Sequence, residues 1–368
     1  MNIGKRQVAV MGLAMSAVLG VAACGSDNNT ASPSSTAGTA TGAISCATGS
    51  IVASGSTAQK NAMDEWVKKY QTACSGSTIN YQAVGSAAGK QAFVDGKIDF
   101  AGSDSAISGD QATSAAKRCT GGQLVNLPMV AGPVAVIYNL AGVKDLQLSA
   151  ATLAKIYSGA ITKWNDPVIA ADNPGLTLPS TTIVSVHRSD GSGTTDNLTK
   201  YLAGAAASDW TFASGSDWKA PGGQGSKGSD GVTATVKATA GAIGYVELSF
   251  AENASLSTAK IKNGAGEYVA VSTEATSKGV STAKVAPAPD LKLTFDYTAT
   301  TSGAYPIYLV TYEITCTQGL AASQATLVKS FLTYTSSTNG QAAIADLGYA
   351  PLPSDLASKV SSVVATIS

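Results

Sequence analysis

A local pattern repeated along the chain limits what it can fold into: a short apolar run, a polar turn, then residues at helical spacing. Residues 50–54 read as a short buried strand, followed by Gly55, Ser56 and Thr57. Residues 58–70 then place Ala62, Met63, Trp66, Val67 and Tyr70 on one helical face. Ser56 or Thr57 is the expected N-cap of that helix. The pattern returns with an alternating strand over 78–84 and a polar turn at Gly85 and Ser86 leading a helical stretch through Val94. A third strand over 98–102 ends at Ser103, Asp104 and Ser105. Such repetition predicts an open, largely parallel α/β sheet, in which ligands bind beyond the carboxyl ends of the strands.

The densest polar chemistry follows the same rule. The β-branched run 182–186 delivers the chain into residues 187–195, which hold His187, Arg188, Asp190, four hydroxyls and two glycines. A helix is expected immediately afterwards, over 196–202. Backbone N–H groups at a helix start lack internal partners and carry partial positive charge, so this stretch suits an oxyanion. Arg188 adds planar, charge-assisted donors. Asp190 is its expected orienting partner. Strand alternation points His187 away from Arg188 and assigns it a structural place.

At 368 residues the chain exceeds one ordinary core and suggests two domains. Only 13% of residues are charged, which argues against a nucleic-acid binder and against a disordered chain. His187 is the sole histidine, which disfavours histidine-rich metal sites and most histidine-dependent catalysis. No metal and no cofactor are expected.

The first residues form an address. Lys5 and Arg6 precede a nearly unbroken apolar run to Ala23, shorter than a membrane-spanning helix requires. The run ends in small residues before Cys24 and resembles a bacterial lipobox, in which that cysteine becomes the lipidated first residue. Residues 1–23 are therefore read as a lipoprotein signal peptide, and 24–44, rich in Ser, Thr, Ala and Gly, as a flexible tether. Loss of the leader leaves 22 basic against 24 acidic residues, net −2. An anion must then be held by local donors rather than drawn by global charge. Four cysteines remain, Cys46, Cys74, Cys119 and Cys316, an even number in an exported chain. Cys74 and Cys119 each close an early helical stretch, so the expected pairing is Cys74–Cys119 with Cys46–Cys316.

Other passages read less directly. Residues 124–138 are apolar but broken by Pro128, Gly132 and Pro133, too interrupted for one strand, and read as a passage between domains. Gly223, Gly225 and Gly228 match G-x-G-x-x-G without a preceding predicted strand, which removes a dinucleotide reading. Residues 85–90 are one residue short of a P-loop, with Gln91 where Ser or Thr belongs. Beyond Glu247 the chain is less readable until a strand over 305–314. Helical stretches are then expected over 322–332 and 339–347, with a last helix after Pro353.

Five motifs spread over the body together resemble the phosphate-binding protein (PstS) of bacterial phosphate ABC importers, particularly actinobacterial lipoproteins. They lie at 53–57, 81–86, 99–104, 161–167 and 187–194. The resemblance implies an α/β, type II periplasmic-binding-protein fold: two lobes with mixed, mostly parallel sheets and a central ligand cleft. Lobe I is expected over 45–132 and 304–368, and lobe II over 133–303. Carried over position by position, the ligand contacts fall on Thr57, the Ala58 backbone, Ser86 and Asp104 from one lobe. The other lobe supplies Arg188, Asp190, Ser192, Gly193 and Thr194. Ala58 stands where many members have an aromatic residue, and Ala87 with Ala88 replaces a more usual Ser/Gly pair.

The implied partners are inorganic phosphate, the membrane permease subunits of a phosphate ABC importer, and the membrane itself through a palmitate-bearing anchor. No nucleic acid is implied. The expected form is a monomer on the outer face of the cytoplasmic membrane. Asp104 is the discriminating residue in this reading. A carboxylate facing an anion is repulsive unless it accepts a bond from a protonated ligand oxygen, which hydrogen phosphate has and sulfate lacks. The chain is read as a binding protein and not an enzyme. The rival readings are a secreted phosphatase using Ser192 or Thr57, a receptor for another oxyanion, and a surface adhesion protein.

Overall fold

The computed structural model describes residues 44–368, so the signal peptide, Cys24 and nearly all of the tether lie outside the described residues. Among the described residues no helix is long and apolar enough to cross a membrane. The fold is α/β, built on a nine-stranded mixed sheet. Strand Gly49–Gly55 lies between Ser77–Ala83 and Phe100–Ser103, parallel to both. Strands Val184–Arg188, Gln224–Ser226 and Ala242–Glu247 form a second parallel group. Helices Lys60–Ala73, Ser86–Val94 and Gly193–Ala205 follow their strands in the expected manner, and Gly228–Ala238 follows Gln224–Ser226 in the glycine-rich stretch where no strand was expected.

Two long antiparallel strands join the groups. Residues 124–133 of strand Leu124–Tyr138 pair with Tyr308–Cys316, and its last five residues pair with Ala242–Glu247. Residues 124–138 are thus one continuous strand, contrary to the interrupted passage expected. The prolines are tolerated for local reasons. Pro128 pairs with Tyr312 at a register shift between Thr311 and Tyr312, where the ladder is already irregular. Pro133 sits where the strand is about to change partners. The return strand begins at Tyr308 rather than 305 and reaches back to Phe100–Ser103 through Tyr312, Glu313 and Ile314.

Separate cores pack behind the two strand groups. Trp66, Tyr70, Phe100, Phe331 and Val360 are buried together under the first. Tyr157, Trp164, Tyr201, Trp210 and Tyr245 are buried together under the second. Fully burying side chains of this size stabilises by about 1.5–3 kcal/mol each, so each group holds its own loops in place.

The disulfides are Cys46–Cys74 and Cys119–Cys316, which corrects the expected pairing. Sheet register explains the difference. Cys316 pairs with Leu124, and Cys119 lies only five residues before that leucine. Cys74 packs instead in the core containing Trp66, on a different cluster from Cys119 and Cys316.

Candidate functional site

Three polar turns from the first strand group converge. Gly55 leads into Ser56, Thr57 and Ala58; Gly85 precedes Ser86; Ser103 precedes Asp104. Ser56, Thr57, Ser86 and Asp104 are all buried. The expected N-cap at Ser56 or Thr57 does not form: the helix starts at Lys60, with Gln59 in the cap position and no side-chain cap bond. Ser56 has other work. Its Oγ accepts from the Ala58 N–H at 3.0 Å and donates to Asp104 Oδ1 at 2.5 Å. Ser86 does open its helix, and its Oγ donates to Asp104 Oδ2 at 3.1 Å.

The opposing turn comes from Val184–Arg188. Arg188 is buried, and Asp190 grips it in a fork: Nε donates to Oδ1 at 2.7 Å and Nη2 to Oδ2 at 2.5 Å. Burial works against the guanidinium charge, but Asp190 outweighs it and raises the pKa further. Asp190 is also partly desolvated, yet Arg188 and the Gly228 N–H hold its pKa below the ordinary carboxylate range. Asp190 engages Nε and Nη2 of this buried side chain, which leaves Nη1 as the charge-assisted donor not committed to that fork. Ser192 is the N-cap of Gly193–Ala205, its side chain accepting from the Thr195 N–H at 3.2 Å. His187 faces away, stacked on Trp218 with ring centroids 4.9 Å apart.

These turns meet as two jaws. The Ala87 N–H donates to the Gly191 carbonyl at 3.1 Å. Asn197 Nδ2 donates both to the Asp104 carbonyl, at 2.7 Å, and to the Gly193 carbonyl, at 2.8 Å. Glycines permit the approach. A Cβ on Gly85, which has φ +103°, would lie 2.5 Å from Asp190 Oδ2, and one on Gly191 would collide with Ala87.

Sequence reasoning missed five residues here. Ser56 and Thr311 both donate to Asp104 Oδ1, the latter at 2.7 Å. Asn197 joins the jaws. Ser229 Oγ lies 2.9 Å from Thr57 Oγ1 and donates to Glu247 Oε2 at 2.8 Å, while Thr194 Oγ1 donates to Glu247 Oε1 at 2.6 Å. The signal for Ser229 lay in the glycine-rich stretch: Gln224–Ser226 is a three-residue strand inside it, and a helix starts at Gly228. Burial raises the pKa of Asp104, against hydroxyl bonds from Ser56, Thr311 and Ser86. Burial also raises that of Glu247, and Asp104 adds to the effect.

Chemically, the jaws offer one buried cation, helix-start N–H groups and one carboxylate with spare acceptor capacity. Asp104 Oδ1 accepts two hydroxyls, whereas Oδ2 accepts one longer bond and faces Gly193. That combination suits a small oxyanion bearing a proton. Among the described residues no group of three or more His, Cys, Asp or Glu could hold a metal ion.

Sheet topology and opposed polar turns are those of a solute-binding protein of the two-lobed type. Residues 31–339 match the model of the PBP superfamily domain. The chain is 42% identical over 364 residues to phosphate-binding protein PstS 3 of Mycobacterium leprae, covering 98% of each chain. It is 40% identical over 370 residues to phosphate-binding protein PstS 2 of Mycobacterium tuberculosis, covering 99% of each. Among solved structures it resembles a high-affinity periplasmic phosphate-binding protein (PfluDING) bound with phosphate. That likeness has a TM-score of 0.70 and 26% identity, and covers 85% of this chain and 93% of the other. The chain belongs to the PstS family of phosphate-binding proteins within the PBP superfamily.

Proposed function

We propose that this protein captures inorganic phosphate between its two jaws outside the cytoplasmic membrane and delivers it to the permease of a phosphate ABC importer. The observation that carries the reading is the opposition of Arg188 to Asp104: a buried cation whose Nη1 lies outside the fork to Asp190, set against a buried carboxylate that can still accept. In this reading Thr57, the Ala58 N–H, Ser86, Ser192, Gly193 and Thr194 supply the remaining donors, and Asp190 orients Arg188. Lobe I comprises 45–132 and 304–368, lobe II 133–303, and closure of one on the other is the binding event. The protein acts as a monomer, held at the membrane by lipid on Cys24.

The binding reading is favoured over catalysis by what surrounds the hydroxyls. Ser192 caps its own helix, and His187 is stacked on Trp218 with its Nδ1 against the Arg188 carbonyl. Calorimetric titration with inorganic phosphate, with sulfate as competitor, tests the function. Tight one-to-one binding of phosphate is expected, and no binding heat would overturn it. Release of product from a chromogenic phosphate ester would favour an enzyme instead.

A further inference from the structure

Glu247 lies at the end of strand Ala242–Glu247, fully buried, with no cation within salt-bridge distance among the described residues. Each of its oxygens accepts one hydroxyl, from Thr194 and from Ser229. An ionised carboxylate only accepts, and each hydroxyl has a single proton to give. The protons of Thr194 and Ser229 are therefore both spent on Glu247. The 2.9 Å contact between Thr57 and Ser229 must then use the proton of Thr57. The Ser229 N–H donates to Thr57 Oγ1 at 3.2 Å, which fits that direction. With Glu247 ionised, Thr57 and Thr194 thus turn their protons away from the anion they are proposed to hold.

We propose that Glu247 takes up a proton when the anion binds, and that this proton releases one hydroxyl donor to the ligand. A neutral Glu247 donates either to Thr194 Oγ1, freeing the Thr194 proton, or to Ser229 Oγ. In the second case Ser229 donates to Thr57, and Thr57 turns its own proton to the anion. Either way one proton on the carboxyl becomes one more donor at the site, and no hydroxyl is left without a partner. Glu247 is a positioning residue here, acting through Thr194 and Ser229.

The surrounding charges favour uptake. Glu247 is faced by the Asp104 carboxylate, by Arg188, whose charge Asp190 already shares, and by the Tyr349 phenol. Burial and Asp104 already push its carboxyl above the usual range, and an arriving anion adds negative charge. Because binding consumes a proton, affinity falls as pH rises through the value of Glu247 in the unliganded protein, at up to about tenfold per pH unit.

The inference rests on the phosphate reading, and one set of titrations separates the two. The full protein is titrated with inorganic phosphate by calorimetry at several pH values, in buffers of different ionisation enthalpy. Glu247→Gln mimics the neutral carboxyl, since its amide both donates and accepts. The variant is expected to bind phosphate at least as tightly as the parent above neutral pH, with less proton uptake and a flatter pH profile. Titration of the phosphate itself is common to both proteins and cancels in the comparison. Unchanged proton uptake in Glu247→Gln overturns the inference while leaving phosphate binding intact, as does a large loss of affinity in a variant whose melting temperature is normal. If Glu247→Gln fails to fold, Thr194→Val combined with Ser229→Ala replaces it: removing both hydroxyls closes both routes from Glu247 to the anion and is expected to lower proton uptake, and unchanged uptake overturns the inference. Absence of binding by the parent would defeat the phosphate reading itself.

Discussion

Gly193 and Asp104 meet across the jaws with no space between them. A methyl group on Gly193 would lie 2.5 Å from Asp104 Cβ and 2.8 Å from Oδ2. Real Cβ atoms do not approach so closely, and Asp104 is held by three hydroxyls that prevent retreat. Gly193→Ala is therefore expected to stop full closure while leaving each jaw folded. Phosphate affinity should fall at least about tenfold, or about 1.4 kcal/mol, with little change in melting temperature. Affinity equal to the parent in a titration would show that closure does not bring these residues together.

Arg188→Ala removes the buried cation and leaves Asp190 without its partner. A charge-assisted hydrogen bond is worth roughly 1.5–3 kcal/mol, so affinity should drop by at least about tenfold. Arg188→Lys keeps the charge but loses the fork to Asp190, and should recover only part of the loss. Calorimetry on both variants checks the order; near-normal binding by Arg188→Ala would place the anion elsewhere.

Asp104→Asn should alter selectivity more than folding. The amide oxygen can still accept from Ser56 and Thr311, and the amide nitrogen can donate to Ser86. What disappears is the acceptor for a protonated ligand oxygen, along with its repulsion of an unprotonated one. The ratio of sulfate to phosphate dissociation constants should shrink. An unchanged ratio would remove Asp104 from the selection of the anion.

Much of this site could be read locally, and the missing parts were missing for a physical reason. Arg188, Asp190 and Ser192 belong to one contiguous strand, turn and helix, so hydrophobic alternation and capping chemistry expose them. Thr311 reaches Asp104 only because Tyr308–Cys316 pairs back onto Phe100–Ser103, a contact 207 residues apart in the chain. Nothing near Thr311 marks it. Ser229 follows a strand of three residues, too short for alternation to show. The long strand Leu124–Tyr138 was obscured because Pro128 and Pro133 normally argue against a central strand, and only the register shift opposite Pro128 explains its tolerance. Cysteine pairing failed similarly: position along the chain suggested neighbours, whereas strand register decided them.

The two disulfides should differ in what they contribute. Cys119–Cys316 spans 197 residues and Cys46–Cys74 spans 28. Loop-closure entropy gives about 5 kcal/mol for the longer loop and about 3–4 kcal/mol for the shorter, with measured values often smaller. Cys119→Ser with Cys316→Ser should therefore lower the denaturation midpoint more than Cys46→Ser with Cys74→Ser. The reverse order in urea unfolding would contradict a chain-entropy origin.

Glu313 gives the fold a pH dependence distinct from ligand binding. It is fully buried on the return strand, and neither its oxygens nor Gln59 Oε1 makes a well-formed hydrogen bond. Burial pushes its carboxyl from 4.5 up to about 8, Gln59 only moderating the rise and Asp104 adding to it. Between those values the folded protein keeps a proton that the unfolded chain has lost. Stability from this residue is therefore fully present below 4.5 and declines as pH rises towards about 8. The slope approaches about 1.4 kcal/mol per pH unit, and the whole effect is on the order of a few kcal/mol. Asp104 and Glu247, whose values are also raised, contribute in the same direction. Glu313→Gln isolates the one residue, because its amide stays neutral at every pH and can donate to Gln59. Urea unfolding of parent and variant near pH 5 and pH 8 should show a smaller loss of stability in the variant. Equal losses would mean that Glu313 is already ionised in the folded protein at neutral pH.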